Sequence, residues 1–301
     1  MILILGANGQ LGVELQRCFA GHGNVVALGR DRCDLADLDQ VRRTLAGLQP
    51  EIVINAAAYT AVDRAEAEQD LAMRVNAEAA GVLAEETRKV AALLVHYSTD
   101  YVFDGSKASP WVEDDEPAPL SIYGASKLEG ERRVVATGDR YLIFRTSWVF
   151  SPHGQNFVRT MLRLGAERDQ LKIVNDQSGA PTSAFAIAAA TREILDRVKL
   201  DGADSPTKFS GIYHMTCGGQ TTWCDFAKAI FARSESSREQ GWASVTGIPS
   251  SEYPTPAARP KNSVLSNEKL QATFGVQLPN WEVALDQTLQ TLNLKKESPA
   301  S

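Results

Sequence analysis

With 301 residues, 44% of them apolar and 23% charged, the chain has ordinary globular composition and room for one large domain or a large and a small one. A net charge of −6 argues against a nucleic-acid binder, since Arg42-Arg43 and Arg132-Arg133 fall on expected helices and read as solvated. No apolar run approaches membrane-spanning length, and Met1–Leu5 is too short for a signal peptide, so the expected location is the cytoplasm.

Ile2–Leu5 reads as a short strand, followed by Gly6-Ala7-Asn8-Gly9-Gln10-Leu11-Gly12 and an amphipathic helix to about Gly21. Glycines in this spacing between strand and helix serve three purposes: a tight turn, close approach of backbone to a pyrophosphate, and close helix–strand packing. The helix amino terminus then offers N–H groups and its positive dipole end to phosphate. A dinucleotide site is expected here. A second strand, Asn24–Leu28, ends in Gly29-Arg30-Asp31-Arg32, where an acidic residue would suit NAD and Arg30 suits the 2′-phosphate of NADP. After Asp34-Leu35, Asp37 and Gln40 resemble a capping box opening a helix over Leu38–Leu48. The third strand, Ile52–Ile54, runs into Asn55-Ala56-Ala57-Ala58-Tyr59, small residues against which a flat cofactor can lie. A long helix is expected over Leu71–Val90, with Asn76 near its start.

The apolar run Ala91–Val95 is expected to be a buried parallel strand ending in the hydroxyls of His96-Tyr97-Ser98-Thr99-Asp100-Tyr101-Val102-Phe103. Ile122-Tyr123-Gly124-Ala125-Ser126-Lys127 then opens a helix that puts Tyr123 and Lys127 on one face. An ammonium beside a phenol favours phenolate and would lower the Tyr123 pKa towards working pH. Tyr123 could then exchange a proton with a carbonyl or alcohol oxygen that Thr99 also holds.

Further on come a strand at Tyr141–Phe144, a helix from Gln155-Asn156-Phe157 to Gly165, a strand at Leu171–Val174 and a turn-rich loop, Asn175–Thr182. A helix at Ala184–Val198, a polar loop around Lys199–Lys208, a strand near Gly211–His214 and a helix at Trp223–Ala232 follow. Tyr253–Arg259 is expected to be extended because of its prolines; two short helices, Asn267–Phe274 and Trp281–Leu292, and a disordered tail close the chain. Repeated strand–helix alternation gives the expected fold class: α/β, a Rossmann-type doubly wound parallel sheet with a smaller C-terminal α/β domain. Residues 1–150 are expected mainly to bind the cofactor and 151–301 mainly the substrate, with some segments returning to the sheet.

Cys18, Cys33, Cys217 and Cys224 have neither C-x-x-C nor zinc spacing and read as unpaired thiols of a reducing compartment. No compact carboxylate cluster has the spacing of a hard-cation site. His22, His96, His153 and His214 are scattered and read as structural.

The glycine loop, Asn55-Ala56-Ala57-Ala58 and the Tyr123/Lys127 pair resemble the extended short-chain dehydrogenase/reductase superfamily. Within it the chain is similar to the dTDP-4-dehydrorhamnose reductases. Gly6–Gly12 and Asn55–Asp63 carry superfamily-level information, and the closer resemblance is carried by Ser98–Phe103, Phe144–Val149, Asn175–Thr182 and Tyr253–Pro260. It implies hydride transfer from NADPH, with NADH as the alternative, to the C4 ketone of dTDP-4-dehydro-β-L-rhamnose. It also implies Tyr123 as proton donor, Lys127 as its tuner and nicotinamide-ribose contact, and Thr99 as the carbonyl's hydrogen-bond partner. Gly6, Asn8, Gly9, Gln10, Leu11, Gly12, Arg30, Asp34, Leu35, Ala56, Ala57, Ala58 and Tyr59 complete the expected cofactor side. Asp100, Tyr101 and Trp148 would line the sugar pocket, Arg259 would meet the diphosphate, and Asn156 and Asn262 are weaker candidates of the same kind. The family's association with Mg²⁺ finds only Glu14 as a contributor, beside Ala184 and Phe185, which offer no oxygen side chain; no metal residue is assigned. The partner is a dTDP-sugar, with no nucleic acid and no membrane, and a homodimer is a possible assembly. Two alternatives stand: a non-catalytic NADP-binding subunit like the β subunit of methionine adenosyltransferase, and another nucleotide-sugar epimerase or reductase.

Overall fold

The computed structural model of the chain describes residues 1–138, 140–200, 205–234 and 241–297. The expected disordered tail falls at its end on residues outside that set, as does part of the expected polar loop, which closes in a short helix at Ser205–Lys208. The first half runs β1 (Ile2–Leu5), α1 (Gln10–Cys18), β2 (Val25–Leu28), α2 (Leu38–Leu48) and β3 (Ile52–Asn55). Short helices α3 (Val62–Ala65) and α4 (Gln69–Met73) lead to α5 (Ala79–Lys89), β4 (Leu93–Thr99), α6 (Ile122–Thr137) and β5 (Tyr141–Thr146). Every residue of β1, β3 and β4 is buried, as expected of parallel strands covered on both faces.

Six parallel strands form the main sheet in the order β2-β1-β3-β4-β5, followed by the returning strand Gly211–His214. Alternation along each strand divides the core. Ile2, Ile4, Ile54, Val95 and Phe144 face α1 and the helix Ala184–Leu200, whereas Leu3, Leu5, Val53, Leu94 and Ile143 face α2 and α5. The chain winds outward from β1 to β2, then crosses back over β1 to β3. Leu5 and Asn55 therefore lie in register at the point where the winding reverses. A crevice opens there, beyond the carboxyl ends of the strands.

Three local expectations change. The helix expected over Leu71–Val90 is interrupted by a π-helical turn at Arg74–Glu78. Asp37 caps α2 by accepting from Gln40 N at 2.9 Å, but the Gln40 amide oxygen accepts from Asp34 N at 2.7 Å, so the reciprocal half of the capping box is absent. A strand at Ser244–Ile248 was not expected; its weakly apolar, half-exposed residues acquire order by pairing in parallel with Gln170–Val174. Among the described residues no helix is long and apolar enough to cross a membrane.

Candidate active site

A cleft of about 670 Å³ occupies the crevice. Its floor is the turn after β1. Gly6 has φ +82°, and a Cβ there would lie 2.7 Å from Ala57 N, so the glycine loop can press on the Ala56–Tyr59 loop only without a side chain. Gly12 sits behind the loop, where a Cβ would collide with the Gly6 carbonyl. α1 starts at Gln10 with Gly9 at its N-cap and no capping side chain, which leaves its first N–H groups to a ligand.

Gly6, Asn8, Gly9, Gln10, Leu11, Arg30, Asp34, Leu35, Ala56, Ala57, Ala58, Tyr59, Tyr123 and Lys127 all line this cleft. Of the cofactor-side candidates, Gly12 alone does not, because its place is in helix packing. Arg30 stands at the rim with 78% of its side chain exposed and bonds Asp34 at 3.1 Å. Sequence reasoning passed over the group that holds the opposite wall. From the π-helical turn, the Asn76 amide accepts from Tyr59 N at 2.8 Å and donates to Tyr59 O and Ser126 Oγ, each at 3.0 Å. Asn76 thereby ties the alanine loop to α6.

Tyr123 lies in the first turn of α6, capped by Ser121 Oγ accepting from Gly124 N. Its ring meets Tyr101 edge-on at 6.0 Å. Thr99 ends β4; its hydroxyl accepts from Tyr101 N and donates to Asp100 Oδ1 at 3.0 Å. Asp100 is buried with Oδ2 lacking a partner, and burial pushes its pKa up to about 7, against hydrogen bonds from Ser263 and Thr99.

The expected lowering of the Tyr123 pKa by Lys127 is not what the geometry gives. Burial, reinforced by the Asp100 charge, pushes Tyr123 up to about 12, and a hydrogen bond with Thr99 opposes this. Lys127 is brought down to about 8 by burial, against the attraction of Glu131. The reason is where the amine points: Nζ donates to Tyr97 O at 2.6 Å and lies 3.4 Å from His96 Nε2. The amine serves the backbone of β4 and leaves the phenol alone.

The substrate-side candidates lie beyond the cofactor cleft. Thr99, Asp100 and Tyr101 continue from β4, and nearby Arg259 opposes the rise that burial causes in the Tyr101 pKa. Arg259 itself donates to Asp63 Oδ2 at 2.9 Å and Ala257 O at 3.1 Å, so a diphosphate would have to compete with Asp63. Trp148 has φ +46°, a left-handed conformation unusual for a bulky residue, and its indole stacks on Trp223 at 3.5 Å and 8°. Asn156 is not free to meet substrate: it caps the helix Phe157–Glu167 and donates to Gln10 Oε1, Ser151 O and His153 O. Asn262 is likewise spent on Lys107 O, Ser109 O and Val264 N. An amide in a polar loop looks the same in sequence whether it meets a ligand or the chain's own backbone.

A wider hollow of about 920 Å³, lined by Glu14, Phe185, Arg192 and Thr291 among others, contains neither Tyr123 nor Lys127. The converging groups mark the cleft as the candidate site instead. Glu14 is engaged by Arg17 and His153, and Ala184 and Phe185 bring no oxygen side chains, so these residues do not fit a Mg²⁺ site. Among the described residues, no group of three or more His, Cys, Asp or Glu could hold a metal ion.

A family model described as RmlD substrate binding domain matches residues 1–294. The dTDP-4-dehydrorhamnose reductase of Burkholderia thailandensis is 50% identical over 295 residues, covering 94% of this chain and 96% of its own. Among solved structures, the dTDP-4-dehydrorhamnose reductase of Clostridium acetobutylicum superposes with a TM-score of 0.89 at 40% identity, covering 97% of this chain and 99% of its own. The Bacillus anthracis enzyme of the same name, solved in complex with NADP, superposes with a TM-score of 0.87 at 36% identity, covering 96% and 98%. Full-length similarity of this order places the chain: it belongs to the dTDP-4-dehydrorhamnose reductase family.

Proposed function

We propose that this chain reduces the C4 ketone of dTDP-4-dehydro-β-L-rhamnose with NADPH to give dTDP-β-L-rhamnose, a step of dTDP-rhamnose biosynthesis feeding surface polysaccharide. The observation that carries the reading is Tyr123 and Lys127 on the wall of a cleft floored by the Gly6–Gly12 loop, with Thr99 near enough to Tyr123 to oppose the rise in its pKa. The NADP found in the Bacillus anthracis relative and the Arg30 side chain at the rim support NADPH over NADH.

When bound, the reduced nicotinamide supplies the hydride. The N–H groups at the start of α1 and the glycine loop hold the diphosphate, and Arg30 holds the 2′-phosphate. Thr99 donates to the C4 oxygen as charge develops there, and Tyr123 hands its phenolic proton to that oxygen. A phenol near 12 is a competent donor to a nascent alkoxide, which is the stronger base. Lys127 takes the ribose hydroxyls as new acceptors. Trp148, rigid against Trp223, offers the sugar an apolar face, and Arg259 turns from Asp63 to the diphosphate. In this reading residues 1–150 mainly bind the cofactor and 151–301 mainly the nucleotide-sugar. The four cysteines are all free thiols, which supports a reducing, cytoplasmic setting. A homodimer accompanies the reading and is checked by light scattering.

The test is NADPH oxidation followed by absorbance with enzymatically prepared dTDP-4-dehydro-L-rhamnose, repeated with NADH. Turnover yielding dTDP-L-rhamnose is the expected result, faster with NADPH. Cofactor binding without turnover would replace this reading with that of a regulatory subunit.

A further inference from the structure

Beneath Lys127 lies a buried chain of polar groups that the reaction as described does not use. His96 is 1% exposed, on β4, and Asn55, also 1% exposed, ends the neighbouring strand β3. Ala57 N donates to Asn55 Oδ1 at 3.2 Å. That contact fixes which end of the amide is which, so the Asn55 NH₂ faces His96 Nδ1, at 3.1 Å. An NH₂ group can only donate, and Nδ1 must therefore be the accepting nitrogen. Burial holds the ring far below its ordinary basicity, so it is neutral. A neutral ring with a bare Nδ1 carries its one proton on Nε2, the atom 3.4 Å from Lys127 Nζ. A donor directed at an ammonium has nothing to bind, whereas a neutral amine accepts from it and still donates to Tyr97 O.

The surrounding charges do not undo this. Glu131, one turn along α6, would hold Lys127 as an ammonium, but Arg145 from β5 takes both of its oxygens, at 2.9 and 2.7 Å. Towards the cleft stand Tyr123 and Asp100. Asn76 and Ser126, from the π-helical turn and α6, are neutral, and Arg64 and Glu68 on the far wall are paired with each other.

We infer that His96 is a positioning residue for Lys127: pinned by Asn55 as a donor towards Nζ, it makes NADP(H) binding the event at which Lys127 takes up a proton from solvent. The inference rests on the reductase reading, in which a bound dinucleotide brings ribose hydroxyl acceptors and negative phosphates to that amine. The pKa of about 8 that burial gives Lys127 agrees with it. The balance is simple: a neutral amine plus one solvent proton becomes an ammonium, with no bond made or broken in the cofactor.

The experiment is calorimetric titration of the full chain with NADPH in buffers of differing ionisation enthalpy. At pH 8 the 2′-phosphate is already ionised. The expected uptake for the unmodified protein is about half a proton per chain, since a group titrating near 8 is half protonated before binding. His96→Gln places an amide oxygen that can accept from Lys127, and uptake should fall below about 0.1 proton. Asn55→Ala releases the tautomer from the other side and should move uptake the same way. Lys127→Met should abolish it. The ¹³Cε resonance of Lys127 in the unmodified protein gives a reading independent of any variant's folding: its titration should move from about pH 8 to above about pH 9.5 on adding NADPH. Uptake persisting in Lys127→Met, or unchanged in folded His96→Gln, overturns the inference, as does a resonance that NADPH does not shift. Turnover without proton uptake overturns the inference and leaves the reductase reading standing; failure to bind NADPH overturns both.

Discussion

At the scale of single residues the site is a set of buried groups whose ionisation follows from what each touches. Tyr123→Phe removes the proton donor and leaves the cleft's shape, so turnover should fall by about 10²- to 10⁴-fold with little change in NADPH binding. Near-normal turnover in the absorbance assay would eliminate Tyr123 as donor. Asp100 gives a prediction about stability. Its pKa in the folded chain, about 7, exceeds the usual 3.8 because burial disfavours the charged form. The folded state therefore binds more protons than the unfolded one between those values, and stability declines as pH rises through that window. Asp100→Asn removes the buried charge; at pH 8 it should stabilise the chain by on the order of 4 kcal/mol, at roughly 1.4 kcal/mol per pKa unit, with little gain at pH 4. Urea denaturation at the two pH values checks this. A loss of stability at pH 8 would show that the carboxylate is satisfied by partners.

At the scale of elements, two links decide how the site is held. The π-helical turn puts Asn76 where three hydrogen bonds join the alanine loop to α6. Asn76→Ala should cost about 1–3 kcal/mol, because buried backbone groups of Tyr59 lose their partners. It should also raise the NADPH dissociation constant by about tenfold as the wall loosens; unchanged affinity would show that the wall is held by other contacts. The second link is the fully buried Arg145–Glu131 pair between β5 and α6. Arg145→Met strands a buried carboxylate and should destabilise by about 3–5 kcal/mol, most of it recovered in the double variant Glu131→Gln/Arg145→Met. A double variant no better than the single one would mean that the pair contributes by packing and not by charge.

At the scale of the whole molecule, the proposed division of binding roles near residue 150 is not a division of cores. One face of the sheet packs Ile4, Leu15 and Ile54 with Ile187, Ile194, Phe226 and Leu285, and Gly211–His214 completes the sheet beside β5. A fragment of residues 1–150 would keep α1 but expose the part of that face that Ile187, Ile194, Phe226 and Leu285 cover. It should show no cooperative urea transition by circular dichroism, whereas the full chain should; a cooperative transition in the fragment would establish an independent domain.

Much was legible in one dimension because it is local or periodic. The buried runs of β1, β3 and β4, the glycine turn and the four-residue step from Tyr123 to Lys127 all follow from spacing along the backbone. The sequence by itself thus determined the α/β class and which residues could meet a dinucleotide. It could not show where a side chain turns once strands separated by dozens of residues lie 5 Å apart. That Lys127 leans on Tyr97 O and His96 and not on Tyr123, that Asn156 and Asn262 spend their amides on backbone, and that Arg259 is held by Asp63 were decided only in the tertiary structure. The physical reason is shared: a polar group folded into the structure takes whichever partner packing brings within reach, and for Lys127, Asn262 and Arg259 that partner is remote in sequence.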